Sequence, residues 1–248
     1  MMERRKQAAV YLYAAVPAHT SLAGAGTPTD IRLIEADDVS LVVGTPDMPT
    51  LADAANPDSG GGSLGELARQ HDAVIRAVMA VSGSISPFRL GTIVTDDTAA
   101  RHFVVSHRTD LLALLRRLRA SAEWGVTVSV ENVRPRVARR QPKDRSGSAY
   151  LATRRQQLAD EERRRTEHAA TIAVAADELR ELAIDAAHGA QRGAVILDES
   201  YLVSEAATPS FLDVVDHLTK RLTDSGLSMR VTGPWPPYSF ARLTGGEQ

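Results

Sequence analysis

The chain has 248 residues, of which 43% are hydrophobic and 24% charged, an ordinary balance for a soluble globular protein that argues against global disorder. Its formal charge of -2, from 29 basic and 31 acidic residues, gives no general attraction to nucleic acid or to an anionic membrane. The absence of cysteine excludes disulfides, thiolate metal sites and thiol catalysis, and is compatible with a reducing cytosol. This length favours two domains, which we place at residues 1–122 and 123–248.

The first domain is predicted to begin with three strands. The apolar run at residues 8–16 suits a buried strand better than a signal peptide, and residues 31–45 predict two short strands joined at Asp37. The stretch at residues 46–63 is polar and rich in glycine and proline, which predicts a surface loop. No stretch of the chain is long and apolar enough to predict a membrane span.

Helical periodicity begins after this loop. Ser63 is placed to cap the helix, and Glu66 would complete a capping box. Residues 85–94 then predict a strand, in which Pro87 favours an irregular or edge position. Asp96 opens further helical sequence, with a break near Ser106. The first domain is therefore predicted to be a mixed α/β domain.

The second domain shows a recognisable order of elements. Residues 124–132 alternate as a strand, residues 146–187 read as one long helix, and residues 194–204 predict two short strands around Asp198 and Glu199. A capped helix at 208–226 and a strand at 227–235 follow. The order β-α-β-β-α-β is that of a ferredoxin-like domain, with an antiparallel sheet and both helices on one face. The predicted fold class is thus α+β, with two domains.

The segment between the first strand of this domain and its long helix is strongly basic. Residues 134–145 hold six basic residues and one acidic residue. Such a run could contact phosphates, but it contains no aromatic side chains on which bases would stack. We interpret it as a solvated loop and predict no nucleic-acid partner.

Candidate catalytic residues are few. Ser63 lies in a G-x-S-x-G match, but this match does not follow the buried strand that a nucleophile elbow requires, so a hydrolase using Ser63 is the weaker interpretation. Asp213 and His217 are four residues apart and could share a metal ion, yet two ligands alone make a weak site. His71 and Arg89 fit an ion-pair network on the polar side of a helix. We predict no catalytic residue, no cofactor site, no metal site and no enzyme.

The C-terminal stretch GPWPPYSF, residues 233–240, concentrates prolines and aromatic residues. Proline lacks the amide proton that a helix or a central strand needs, so this segment must be extended or turning. It could present a polyproline-type ligand to a partner's groove, or clamp its own rings onto the domain whose last strand it follows. We favour the clamp, because groove ligands usually lie on disordered tails.

Several segments together resemble one known family. YLYAAV, HDAVIRAVM, SPFRLGTIV, EWGVTVSV, SGSAYL, SYLV and GPWPPYSF occur in the order and register of the GvpF/GvpL family of gas vesicle proteins, across nearly the whole chain. The residues that match the family motifs, which we expect to be mainly structural, are His71, Arg89, Gly91, Trp124, Gly125, Tyr150, Leu151, Tyr201, Leu202, Gly233, Pro234, Trp235, Pro236, Pro237, Tyr238 and Phe240.

The resemblance implies an accessory function in gas vesicle assembly. The implied partners are the small hydrophobic gas vesicle shell protein and other gas vesicle accessory proteins, and the implied location is the cytoplasm, in association with the gas vesicle. A shell protein with an apolar face must be covered in water before assembly, which is a role this chain could fill. The alternative is a non-catalytic adaptor that displays its Pro/Trp C-terminal segment to a partner domain.

Overall fold

A computed structural model describes the protein over residues 9–55, 62–130, 147–190 and 194–243. The chain forms a mixed α+β fold and divides into two compact units. The first unit comprises Met1–Glu123 together with Gly233–Gln248, and the second comprises Trp124–Thr232. The C-terminal segment therefore groups with the first unit, whereas the sequence analysis placed it in the second domain.

The first unit is built on a five-stranded sheet of order β2-β3-β1-β4, in which β5 also pairs with β1. The pairings of β1 with β3, β4 and β5, and of β2 with β3, are antiparallel. The elements of this unit, in chain order, are β1 (Val10–Pro17), β2 (Arg32–Ala36), β3 (Val39–Gly44), α1 (Met48–Ala55), α2 (Gly62–Ser82), β4 (Ser86–Pro87), β5 (Ile93–Val94), α3 (Asp97–Ser106) and α4 (Arg108–Arg117).

Both faces of this sheet are buried. Side chains of β1 and β3 pack on one face against α3 and α4, including Val104 and Leu111, and on the other face against α2, including Ile75. A register shift between Leu12 and Ala14 changes the side to which the later residues of β1 point. This shift is why Leu12 and Ala15 share one face although they are three residues apart.

Local signals predicted several features of the first unit correctly. The turn between β2 and β3 is confirmed, with Asp37 at a positive φ of 52°. Pro87 pairs with Ala14 at the edge of the sheet, as predicted. Asp96 caps α3 by accepting a hydrogen bond from the Ala99 backbone N–H at 2.8 Å, and the predicted break lies between α3 and α4.

Other predictions for this unit are wrong. The predicted loop at residues 46–63 contains α1, whose first turn is capped by Asp47 through a 3.3 Å hydrogen bond from the Thr50 backbone N–H. The single strand predicted at residues 85–94 is two short strands, β4 and β5. Ser63 lies inside the first turn of α2 rather than at its cap, and the Glu66 carboxylate accepts hydrogen bonds from the side chains of Arg69 and Gln70.

The second unit contains a four-stranded sheet of order β7-β8-β6-β9. Its core joins that sheet to both helices, through side chains such as Ile172 and Leu179 of one helix and Phe211 and Leu218 of the other. The elements, some of whose end residues belong to the first unit, are β6 (Ser121–Val130), α5 (Gly147–Arg180), β7 (Asp185–His188), β8 (Val195–Ser204), α6 (Thr208–Asp224) and β9 (Leu227–Trp235).

Two boundaries in the second unit differ from the predictions. The long helix ends at Arg180, and the residues predicted to be its last turns form β7, which pairs antiparallel with β8. The Ile184 backbone N–H already donates to the Leu202 carbonyl at 2.7 Å, so pairing with β8 overrides the helical propensity of this stretch. The strand β8 runs uninterrupted through Asp198 and Glu199, where two strands were predicted.

Candidate functional site

The C-terminal segment, residues 233–240, begins with the last residues of β9 and contacts α2 of the first unit. Pro236, Pro237 and Phe240 are buried, while Trp235 and Tyr238 are 38% and 37% exposed. The burial of the two prolines is expected for a strap that packs on its own fold. The rings of Trp235 and Tyr238 are held at the surface of α2.

Asp72 and Arg76 of α2 hold these two rings. The Tyr238 hydroxyl donates a hydrogen bond to Asp72 Oδ1 at 3.0 Å, and Arg76 Nε donates to Asp72 Oδ2 at 2.6 Å. The Arg76 guanidinium lies 4.1 Å from the centre of the Trp235 ring, which is a cation–π contact. Burial, together with the charge of Asp72, raises the pKa of Tyr238, so its hydroxyl stays protonated and remains a donor at neutral pH.

Glu123 anchors the end of the segment. Its two carboxylate oxygens accept hydrogen bonds from the Ser239 backbone N–H at 2.8 Å and from the Ser239 hydroxyl at 2.7 Å. Glu123 is only 8% exposed, so these charge-assisted bonds compensate a carboxylate that has lost most of its water. The arrangement fastens residues 235–240 to the first unit by hydrogen bonds and by a cation–π contact.

His71 lies beneath this surface, buried on the inner side of α2 with 4% of its area exposed. The predicted position of His71 on the polar side of the helix is therefore wrong. The Gly91 backbone N–H donates to the Tyr11 hydroxyl at 3.0 Å, and that hydroxyl lies 2.9 Å from His71 Nδ1. His71 Nε2 lies 3.2 Å from the Phe88 carbonyl, which can only accept. The Phe88 carbonyl must accept a hydrogen bond from Nε2, and Nδ1 is then the acceptor for the Tyr11 hydroxyl. His71 is therefore the neutral tautomer with its proton on Nε2.

The stability of the first unit should therefore depend on the protonation of His71. Burial lowers the pKa of His71 below its ordinary value of 6.5, so the unfolded chain binds this proton more readily than the folded chain. Stability is then present above pH 6.5 and is lost as the pH falls from 6.5 toward the folded pKa. His71→Gln can donate and accept but does not titrate in this range. We expect wild type to lose up to about 1.4 kcal/mol per pH unit more than this variant.

Urea denaturation at a series of pH values between 7.5 and 5 measures the difference. Hydrogen exchange of the α2 amides shows whether this difference in stability belongs to the first unit. Equal pH dependence in the two proteins would show that His71 binds its proton equally well in the folded and unfolded chains.

A buried carboxylate is the main polar feature of the second unit. Glu199 is 2% exposed, and its side chain accepts a hydrogen bond from the Tyr201 hydroxyl at 2.7 Å and forms a close ion pair with Arg180. His188 Nδ1 lies 2.9 Å from Glu199 Oε1. Burial raises the pKa of Tyr201, so its hydroxyl serves Glu199 as a donor. The predicted junction of two strands at Glu199 is wrong, and the local sequence pattern did not predict this cluster.

The N-terminal half of α5 has a different character. From residue 150 to residue 171 every side chain is exposed or partly exposed, and the first buried one is Ile172. His168 Nε2 already contacts the Ser225 carbonyl at 3.1 Å, so we define residues 150–167 as the free arm of α5. This arm is about 27 Å long. It carries the family-motif residues Tyr150 and Leu151, which are 64% and 58% exposed.

The remaining family-motif residues lie in the core of the second unit, in a turn of the first unit and in the C-terminal segment. Trp124 packs 6.2 Å from the Phe211 ring in the core of the second unit, where Tyr201 and Leu202 are also buried. A side chain at position 125 would place its Cβ 2.9 Å from the Thr232 hydroxyl oxygen, which explains Gly125. Arg89 and Gly91 lie in the turn between β4 and β5, and Gly91 has a φ of 83°. Gly233 and Pro234, like Trp235, belong to the segment on α2.

The candidate catalytic and metal-binding residues of the sequence are Ser63, Asp213 and His217. Ser63 lies on α2, and in the described part of the chain its hydroxyl has no hydrogen-bond partner that could act as a base. Among these residues no group of three or more His, Asp or Glu side chains could hold a metal ion, and Asp213 with His217 gains no third ligand. No described helix is long and apolar enough to cross a membrane. The basic segment at residues 134–145 lies outside the described residues.

The fold matches solved structures over nearly its whole length. The crystal structure of the gas vesicle protein GvpF from Anabaena sp. PCC7120 superposes with a TM-score of 0.71 at 16% identity, covering 97% of this chain and 98% of that one. The crystal structure of GvpF from Microcystis aeruginosa gives a TM-score of 0.67 at 18% identity, covering 95% and 99%. At these identities the likeness establishes the fold.

Sequence comparison establishes the family. Gas vesicle protein L of Streptomyces sp. (strain CB03234) is 32% identical over 73% of this chain and 70% of its own length. Gas vesicle protein F of the same strain is 29% identical, over 67% and 74%. The family described as gas vesicle synthesis protein GvpL/GvpF matches residues 9–242, which confirms the resemblance found in the sequence. The chain belongs to the GvpL/GvpF family of gas vesicle synthesis proteins.

Proposed function

We propose that this protein is a non-catalytic accessory factor of gas vesicle assembly. It binds the small hydrophobic shell protein and other accessory proteins, and so nucleates or chaperones shell formation. The observation that carries this proposal is the family match over residues 9–242. The described residues support it because the buried titratable side chains of Glu123, His71 and Glu199 are hydrogen-bonded within the fold.

The physical need for such a factor follows from the shell protein itself. A subunit that will face gas has an apolar surface, which aggregates in water unless another protein covers it. Contact through a sheet edge is one possible mode, and the first sheet has β2 at an edge while the second has β7 and β9 at its edges. Contact through an apolar helix face is the other mode. We place the protein in the cytoplasm, associated with the gas vesicle.

We also propose that the second unit is a ferredoxin-like domain. Its elements follow the order β6, α5, β7, β8, α6, β9, and its sheet has the order β7-β8-β6-β9. A single core contains residues of both helices, which supports a position of the two helices on the same face of the sheet. In this proposal the free arm is an extension of the first helix of the domain.

Co-expression with the shell protein of the same gene cluster tests the proposed function. A tagged copy of this chain should capture the shell protein and increase its soluble amount, relative to a strain that expresses the shell protein alone. A shell protein that stays insoluble and uncaptured, in the presence of folded tagged protein, would contradict direct chaperoning. Another accessory protein of the cluster would then be tested as the direct partner.

The adaptor alternative is less well supported. A groove that recognises a Pro/Trp motif needs access to the prolines, but Pro236 and Pro237 are buried. Trp235 is partly exposed, yet its ring already contacts Arg76. Binding of this segment in a partner's groove would therefore first require its release from α2.

A further inference from the structure

The free arm of α5 presents one face with an ordered pattern of charge around Leu158. Residues three, four and seven positions apart lie on the same face of a helix. Leu151 and Leu158, which are 58% and 49% exposed, therefore share a face. The side chains that flank Leu158 on this face are Arg154 and Arg155 on the N-terminal side and Glu161 and Glu162 on the C-terminal side.

These four charges have no partner within the described part of the chain. Asp160, by contrast, lies on the far side of the helix and contacts Arg163 at 3.7 Å and Gln156 at 3.0 Å. The isolated helix does not favour the order of the four charges either. Acidic residues stabilise a helix best near its N-terminus, and pairs work best with the acid four residues before the base. Here the bases come first and the acids follow.

The order does suit a second helix that runs in the opposite direction. If two arms cross with their Leu158 side chains in register, Arg154 of one lies beside Glu161 of the other, and Arg155 lies beside Glu162. The symmetry repeats both pairs, so all four charges of each arm are matched. A parallel arrangement in the same register would place each charge opposite an identical one, which is unfavourable.

We propose that the free arm binds a second copy of this chain as an antiparallel helix pair centred on Leu158. The exposed leucines supply the apolar contact, since Leu151 faces the aliphatic part of Arg165 on the other copy. About five helical turns bury less surface than the roughly 1,200 Å² of a stable interface. The pair therefore dissociates readily on dilution and forms where the protein is concentrated.

Sedimentation equilibrium over a concentration series tests the proposal with three variants of the full chain. The acidic variant carries Arg154→Glu and Arg155→Glu, the basic variant carries Glu161→Arg and Glu162→Arg, and the third combines all four changes. We expect wild type and the combined variant to dimerise. The acidic and basic variants should each show a dissociation constant raised by about tenfold or more, and a mixture of these two should recover association.

A control variant carries the same kind of charge reversal at two positions outside the proposed face. Arg164→Glu with Glu167→Arg reverses two charges that lie well away from Leu158 around the helix, and it should dimerise like wild type. A monomeric wild type at the highest concentration would overturn the proposal, as would undiminished association of the acidic and basic variants. Loss of association in the control variant would also overturn it, because the effect would then not belong to the Leu158 face.

Cysteine crosslinking tests the orientation, since the natural chain has no cysteine. Leu158→Cys should form a disulfide-linked dimer under mild oxidation, because the two positions meet at the crossing point. Leu151→Cys should not, because antiparallel arms separate these positions by about 20 Å. Efficient crosslinking through Leu151→Cys would overturn the antiparallel arrangement.

Discussion

A chain that ends after Thr232 is expected to lose about 3 to 6 kcal/mol of the stability of its first unit. The deletion exposes the surface that Phe240 covers, and Phe240 is only 5% exposed. It also removes both donors to Glu123, leaving a carboxylate that is 8% exposed without these hydrogen bonds. Such a loss is comparable to the whole stability of many single domains.

Hydrogen exchange locates the effect. Peptides from α2 should exchange much faster in the truncated chain, whereas peptides from α6 in the second unit should change little. A chain that ends after Leu243 keeps the whole contacting segment and serves as the matched control. If the truncated chain cannot be purified, Phe240→Ala is expected to cost about 3 kcal/mol. Tyr238→Phe, which removes one exposed hydrogen bond, should cost less than about 1 kcal/mol.

The result would separate the two interpretations of this segment. A clamp stabilises the first unit whether or not a partner is present. Unchanged exchange in α2, combined with loss of a binding partner, would instead show that residues 233–240 act as a ligand. Faster exchange in α6 than in α2 would place the clamp on the second unit, as the sequence predicts.

The features that could be predicted from the sequence are those set by near neighbours. Asp96 caps α3 because its side chain reaches an amide three residues away, and Pro87 lies at an edge because it has no proton for a further strand. Asp47 carries the same capping signal before α1, but the prediction of a loop at residues 46–63 rested on composition alone. The order of elements in the second unit matched the prediction only because two errors cancelled: β7 was predicted as helix, and the single strand β8 was predicted as two strands.

The features that could not be predicted depend on distant contacts. Nothing local shows that residues 185–188 pair with β8, or that residues 233–240 lie on α2, about 160 positions earlier in the chain. Two polar residues could have been placed by periodicity alone. His71 lies four residues after Leu67 and four before Ile75, on the inward stripe of α2, and Glu199 alternates in phase with Leu197 and Tyr201. Because His71 and Glu199 are polar, the sequence predicts exposed positions for them. In the structure each is buried and forms hydrogen bonds within the fold.

The second large effect is expected at Glu199. Replacing Arg180 by methionine keeps the apolar part of the side chain but removes the cation that faces a carboxylate with 2% exposure. Breaking one partner of a buried ion pair leaves an uncompensated charge, which typically costs 3 to 5 kcal/mol. Tyr201 and His188 still contact Glu199, and Arg180 is itself 37% exposed, so we expect about 3 kcal/mol.

Two further variants distinguish the buried pair from an ordinary surface contact. Arg180 also donates to Asp177 at 2.8 Å, but the Asp177 side chain is 72% exposed. Asp177→Asn should therefore cost less than about 1 kcal/mol. The double variant Arg180→Met with Glu199→Gln should recover most of the loss, because the glutamine brings no charge into the core and can still accept from Tyr201.

Trp124 reports on this experiment, since it is 8% exposed in the core that Glu199 borders. In a Trp235→Phe background its fluorescence follows the unfolding of the second unit in denaturant. If Arg180→Met lowers the free energy of unfolding no more than Asp177→Asn does, the other partners of Glu199 are sufficient to stabilise its charged carboxylate. A double variant as unstable as Arg180→Met alone would show that Arg180 stabilises β8 through packing of its side chain and not through its charge.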